Sequence, residues 1–398
     1  MKSMLPRSFQ RIWFGQTISR LGSGISLFAL GVHLHNEGGG ATACSLLLLC
    51  AYLPGLALAP LGGSMADRYV RRNLVAAGDA FCGLVIISVA ALLSIQPESA
   101  WPIFTGMILI SIADAFQTPA RKALMSDLVE PIHYHLVAGR LQIAEAARLL
   151  VGPAGGALLL HVSGMHAVLW VDALTYGIAF AAALSIAAGQ APKMAQQNQG
   201  DVFRLIRRHS LVWAMLGLSA LITLGIGTLQ ALLTPLVLAT STTGTLAGLQ
   251  TAGAVGMLAT SIWLGSRAHG NARRRLRAGL LAAGLCCMAM GSQGGVILLG
   301  IATVGLFMSL PFLNTSLDVI IRHAMPSAQQ GRLWALVGLV SQSGLLIAFA
   351  LAGPLADHLG VNYVVIAAGS LLALLPLMPI LRDPVMLCQP GPQSQQPA

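Results

Sequence analysis

Long apolar stretches alternate with short polar or glycine-rich gaps along this chain of 398 residues. They run over about 11–33, 42–66, 73–95, 101–122, 140–161, 166–188, 210–238, 244–266, 277–292, 296–321, 332–354 and 361–381. A hydrocarbon core about 30 Å thick is crossed by roughly 20 helical residues. The pattern therefore predicts an all-α polytopic membrane protein of twelve spans. One gap is long, Gln-rich and basic at its end, from Gly189 to His209. It predicts a cytoplasmic linker at 189–209 between an N-terminal six-helix bundle (1–188) and a C-terminal one (210–384), with a disordered cytoplasmic tail at 385–398.

Charge orients the pattern. Of the 23 lysines and arginines, all but Arg20 and Arg148 fall in every second gap. Lys2, Arg7 and Arg11 precede the first stretch, and Arg68, Arg71 and Arg72 follow the second. Arg121, Lys122 and Arg140 follow the fourth, and the linker and the gap after the eighth stretch are richer still. The intervening gaps, near 35–41, 96–100, 161–166, 239–244, 291–295 and 357–361, hold neither residue. Positive residues are retained on the cytoplasmic side, so both termini are expected inside.

Composition agrees: 56% hydrophobic, 9% charged, mean hydropathy +0.75, against about 25% charged in soluble domains. The net charge of +10 belongs to the flanks of spans, where it sets topology and meets anionic lipid, so nucleic acid is not an expected partner. Six cysteines lack metal-ligand spacing, so no metal, disulfide or cofactor is expected. A phosphate-binding loop needs Gly-Lys, and the three lysines follow Met1, Arg121 and Pro192. No serine nucleophile elbow or zinc-type histidine pair suggests an enzyme.

The two halves echo each other. Gly63-Ser64-Met65-Ala66-Asp67-Arg68-Tyr69-Val70-Arg71-Arg72 after the second stretch shares Gly, Ser, Ala, Arg and Arg with the ten residues from Gly265 after the eighth. Gly139-Arg140-Leu141 and Gly331-Arg332-Leu333 repeat before the fifth and eleventh. Parallel six-helix repeats around a midplane cavity are a transporter architecture.

On the stretch from Gly63 the chain resembles the major facilitator superfamily, whose loop signature is G-x-L-A-D-[RK]-x-G-[RK]-[RK]; Met65 and Val70 depart from it. Phe116-Gln117-Thr118-Pro119-Ala120, Leu128-Val129-Glu130-Pro131, Gly331-Arg332 and Gly353-Pro354-Leu355-Ala356-Asp357 resemble the macrolide-efflux branch, to which the enterobactin exporter is also similar. Gly139, Arg148, Gly152, Pro153, Gly155 and Gly156 are similar to the antiporter signature of span 5, with Arg148 and Ala157 where that signature has Gly.

The resemblance implies a proton-coupled secondary exporter of an amphipathic drug or siderophore-like metabolite, working as a monomer by rocker-switch alternating access in a bacterial-type cytoplasmic membrane. An importer and a non-transporting sensor on the same fold are the alternatives. It also implies a gating latch at Gly63, Asp67, Arg68, Arg71 and Arg72, and a cavity lined from spans 1, 4, 7 and 10. The polar or bulky residues there are Gln16, Arg20, Phe28, Phe116, Gln117, Gln230, Met308, Phe312 and Asn314.

Charges inside spans are costly in lipid and mark function by default. Asp114, Glu145, Arg148 and Asp172 are therefore the proton-coupling candidates. Asp114 and Arg148 lie at similar depth, about 10–12 Å from the inner ends of their helices at 1.5 Å per residue, which makes them an expected pair. Glu145 and Arg148 share a helix face at i, i+3. Pro153 among glycines predicts a hinge in span 5.

Overall fold

A computed structural model describes residues 5–187, 210–266, 271–324, 330–378 and 381. Among them the secondary structure is helical: α1 (Arg7–Leu34), α2 (Gly40–Ala66), α3 (Arg71–Ile95), α4 (Trp101–Asp127), α5 (Tyr134–Leu184), α6 (Ser210–Leu238), α7 (Thr243–Ser266), α8 (Ala272–Gly291), α9 (Gly295–Ala324), α10 (Gln330–Leu359) and α11 (Val361–Leu374). The expected linker and tail lie outside the described residues. Eight helical stretches among the described residues are long and apolar enough to cross a membrane, two of them running through a bend.

Two expected spans meet at a kink rather than across a loop. The stretches at 140–161 and 166–188 are the two helical arms of α5, which break at Gly164, whose φ of 75° and ψ of −179° are non-helical. Such a backbone costs a glycine little and an L side chain much. α1 and α2 are joined the same way through a π-helical turn, His35–Gly39, with φ of 82° at Gly38 and 63° at Gly40. Every described residue of positive φ, these three with Gln293, Gly295 and Gly360, lies in a gap free of Lys and Arg. By the orientation expected from charge, these gaps lie at the outer ends of the helices and the Lys- and Arg-bearing ends are the inner ones.

At several inner ends the helices outrun the apolar stretches. α4 continues to Asp127 and α5 starts at Tyr134, because long charged side chains reach interfacial water while their backbone stays helical. α8 is capped by Asn271, whose side-chain oxygen accepts from the backbone N–H of Arg273 (3.0 Å) and Arg274 (3.4 Å).

The chain divides into two compact units. The first comprises Met1–Gln196 with Ala231–Ala254 and Ala352–Asp357; the second comprises Gln197–Gln230, Val255–Leu351 and His358–Ala398. In the first, α1 packs on α5, α2 on α4, and α3 on both α4 and α5. Its apolar interior has an outer layer around Leu30, Leu47, Ile86, Val89 and Leu169 and an inner layer around Phe9, Ile12, Val75, Leu124 and Met125. Between them, along α1, α3 and α4, comes a polar layer: Gln16, Asp79, Gln117 and Arg121.

In the second unit α8 packs on α9 and α11. Gly284 meets Gly369 so closely that a Cβ at Gly284 would lie 2.7 Å from the Gly369 carbonyl oxygen. Small residues permit this backbone approach where no hydrophobic effect drives association. Large apolar side chains stand outside, Ile297 at 80% and Ile95 at 75% exposure among them, as a lipid solvent requires.

Candidate functional site

The charges of the first unit meet on α1, α4 and α5. Glu145 of α5 is shared by two arginines: Oε1 accepts from Arg148 Nη2 at 2.6 Å and Nε at 3.0 Å, and Oε2 accepts from Arg20 Nη1 of α1 at 2.7 Å. The three side chains are 24–35% exposed. They form an open ion triad rather than a sealed one. Tyr52 of α2 lies against Arg148. Two glycines bring the helices this close: a Cβ at Gly24 would stand 2.8 Å from Arg148 Cγ, and one at Gly152 would stand 3.1 Å from the Gly24 carbonyl.

Asp114 of α4 behaves differently. It makes no hydrogen bond or ion pair among the described residues, and the expected Asp114–Arg148 pair is not formed, because Arg148 turns along its own helix to Glu145. Asp114 is exposed by surface area, yet Arg20, Arg121 and Arg148 all lie within electrostatic reach of it. At mid-helix it is an unbonded carboxylate in the field of three guanidiniums.

Behind this open face the polar layer is closed. Asp79 of α3, 1% exposed, accepts from Gln16 Nε2 of α1 at 2.7 Å and from Gln117 Nε2 of α4. Arg121 Nη1 donates to Gln16 Oε1 at 3.3 Å, while its Nε is buried without a partner. Gln16 and Gln117 are each 2% exposed, and they tie three helices together. Asp172, also 1% exposed, accepts from Ser23 at 3.5 Å and from Thr175 at 3.4 Å in the second arm of α5. No group of three or more His, Cys, Asp or Glu that could hold a metal ion occurs among the described residues.

The glycines and proline of α5 pack on α1. A Cβ at Gly155 would lie 3.0 Å from Ile25 Cδ1 and one at Gly156 2.7 Å from Phe28 Cδ1, while Pro153 sits inside the helix. Phe116 is half-buried on α4, and its Cα lies 3.3 Å from the position of a Cβ at Gly62. In the second unit Met308 packs beside Gly256, and Phe312 lies beside Gly279 with its ring 6.1 Å from that of Trp263. Gln230 and Asn314 are exposed. The structure thus joins Arg20, Glu145 and Arg148 directly, sets Asp114 beside them, and keeps Asp172 apart.

At the inner end of α2, Arg71 Nη1 donates to both oxygens of Asp127, at 2.7 and 2.6 Å. Arg72 Nη1 donates to the Ile186 carbonyl at 2.9 Å. Asp67 is 68% exposed and stands 3.9 Å from Arg71; Arg68 is exposed. A Cβ at Gly62 would collide with the Ala115 carbonyl, whereas one at Gly63 meets nothing within 4 Å. Sequence reading overlooked Asp127, whose only signal is its place one turn past the basic end of span 4.

The family model of the Major Facilitator Superfamily matches residues 12–348. Macrolide efflux protein A of Streptococcus pyogenes is 27% identical over 386 residues, covering 92% of this chain and 93% of that protein. Multidrug efflux pump Tap of Mycobacterium tuberculosis is 24% identical over 221 residues, 54% of this chain and 52% of Tap. Among solved structures, a bacterial homolog of the human lysosomal transporter Spinster superposes with a TM-score of 0.73 at 13% identity, over 94% of this chain and 96% of that one.

Proposed function

The chain belongs to the Major Facilitator Superfamily, and from that premise we propose that it is a proton-coupled exporter of an amphipathic small molecule. It works by rocker-switch alternating access between two six-helix repeats, twelve spans in all, in a bacterial-type cytoplasmic membrane with both termini inside. Relatives named for macrolide and multidrug efflux, one of them aligned over 92% of the chain, support export of drug-like molecules. The protein acts as a monomer with protons and substrate as its only small partners.

The observation that carries the coupling is the contrast between two neighbouring carboxylates. Glu145 is held by two guanidiniums, so a proton reaches it only when those ion pairs part. Asp114 has no bonded partner among the described residues and is exposed, so it exchanges protons without breaking an ion pair. We assign Asp114 as the proton carrier. Arg148 and Arg20 report its charge to Glu145, and so to the α1–α5 packing that Gly24, Gly152 and Pro153 leave free to shift. Asp67, exposed beside Arg71, latches the outward-facing state by pairing with a helix N-terminus or a basic residue of the other half, and the cavity is completed by Phe28, Phe116, Gln230, Met308, Phe312 and Asn314.

Everted vesicles challenged with macrolides and siderophores, with and without a proton gradient, test this. Asp114→Asn should abolish gradient-driven accumulation while substrate counterflow persists, and Glu145→Gln should weaken both. Gradient-driven accumulation retained by both variants overturns the assignment and makes the triad a staple. Orientation is tested separately with single cysteines. One at Arg273 should be shielded from an impermeant thiol reagent added outside, and one at Glu98 should react.

A further inference from the structure

α2 begins on a contact from the far end of the chain. Its first amides are among the groups a helix start leaves without intrahelical partners, and its own N-terminal segment offers no side-chain cap. Both are taken by one carboxylate of α10: Ala41 N–H donates to Asp357 Oδ1 and Thr42 N–H to Oδ2, each at 2.9 Å, across 316 and 315 residues of sequence.

The surroundings are shaped for this contact. Gly40 combines a φ of 63°, which favours glycine, with a position where a Cβ would stand tightly, 3.0 Å from Asp357 Oδ1. One turn earlier on α10, a Cβ at Gly353 would run into Ser45 Oγ and stand 2.6 Å from Thr42 Cα and 2.7 Å from the Ala41 carbonyl. Gly353 and Asp357 are i, i+4 and share a helix face. The α10 backbone therefore lies directly on the first turn of α2.

We propose that Asp357 seated on the amides of Ala41 and Thr42 is an outer latch of the transport cycle, a role that rests on the alternating-access reading above. A carboxylate on backbone N–H groups at a helix start is a charge-assisted bond reinforced by the helix dipole. Both partners lie at an outer helix end, where water takes over their hydrogen bonds when α10 withdraws. The contact is strong enough to bias one state and cheap enough to break in every cycle. His35, in the turn before α2, and Cys44 both feel the Asp357 charge.

Ser45, 1% exposed beneath Gly353, is the reporter. In protein stripped of its six native cysteines, Ser45→Cys should react slowly with an impermeant maleimide added outside. Asp357→Asn keeps the side-chain shape and removes the charge, and should raise that rate about tenfold. Ala41→Pro deletes one of the two donors at a position where a helix start tolerates proline, and should raise it about threefold. Equal labelling in the parent and in whichever of these variants elutes monodisperse overturns the latch. Labelling needs no substrate, so the latch and the exporter reading fail separately: a labelling change without transport spares the latch, and transport without a labelling change spares only the exporter.

Discussion

The two ends of α2 carry aspartates in opposite electrostatic settings. At the outer end, Asp357 satisfies two amides that the helix itself leaves open, and its charge meets the positive end of the helix dipole. At the inner end, Asp67 is the C-terminal cap residue of α2, where a negative charge meets the negative end of the dipole. Arg71 and Arg72, in the first turn of α3, are misplaced in the mirror sense. None of the three stabilises its own helix. The outer carboxylate explains itself by the structure around it, while the inner charges make sense only through partners outside their own helices, of which Asp127 is one.

The largest effect that would sharpen this contrast lies in packing. Gly62→Val drives a side chain into the Ala115 carbonyl and should cost about 1–3 kcal/mol. Gly63→Val enters open space and should stay within about 0.5 kcal/mol, both read as thermal unfolding in detergent. Equal losses would show that the inner end of α2 is not pressed on α4 as described.

Next comes Asp67→Asn, expected to slow vesicle transport about tenfold while leaving thermal stability equal or slightly raised, because it removes a charge that opposes the dipole. A stability loss without a transport loss would make Asp67 a structural residue. On the proposal that the two latches bias opposite states, Asp67→Asn combined with Asp357→Asn should recover transport to within a few-fold of wild type; a double variant no better than the worse single one breaks the pairing. Smallest is Asp127→Asn. With Asp127 51% exposed, its ion pair with Arg71 should contribute about 1 kcal/mol or less, and the loss should shrink further in high salt.

Much of this architecture was legible because the bilayer constrains sequence harder than water does. Gaps without Lys or Arg located sharp turns, and the positive-φ glycines Gly38, Gly40, Gly164, Gly295 and Gly360 all lie there. The spacing of Glu145 and Arg148 announced their pair. Depth along two helices was a weaker guide: it placed Asp114 level with Arg148 without revealing that Arg148 would turn toward Glu145. Gln16 and Gln117 were legible as polar residues of spans, but their bonds to Asp79 depend on how α1 and α4 rotate about their axes, which periodicity does not fix. Asp357 was least legible. Its partners are backbone amides, which every residue but proline carries, so no side chain signals them.

The Arg20–Glu145 bond also sets a schedule for biogenesis. Its partners are 125 residues apart, and chains elongate at about 5–20 residues per second, so α1 emerges roughly 6–25 s before the carboxylate that neutralises it. During that interval the first helix offers the insertion machinery a bare guanidinium near its midpoint, which costs about 2.5–3.5 kcal/mol. The chain thus starts its passage into the membrane with one of its least willing segments and completes that segment's solvation only when α5 arrives.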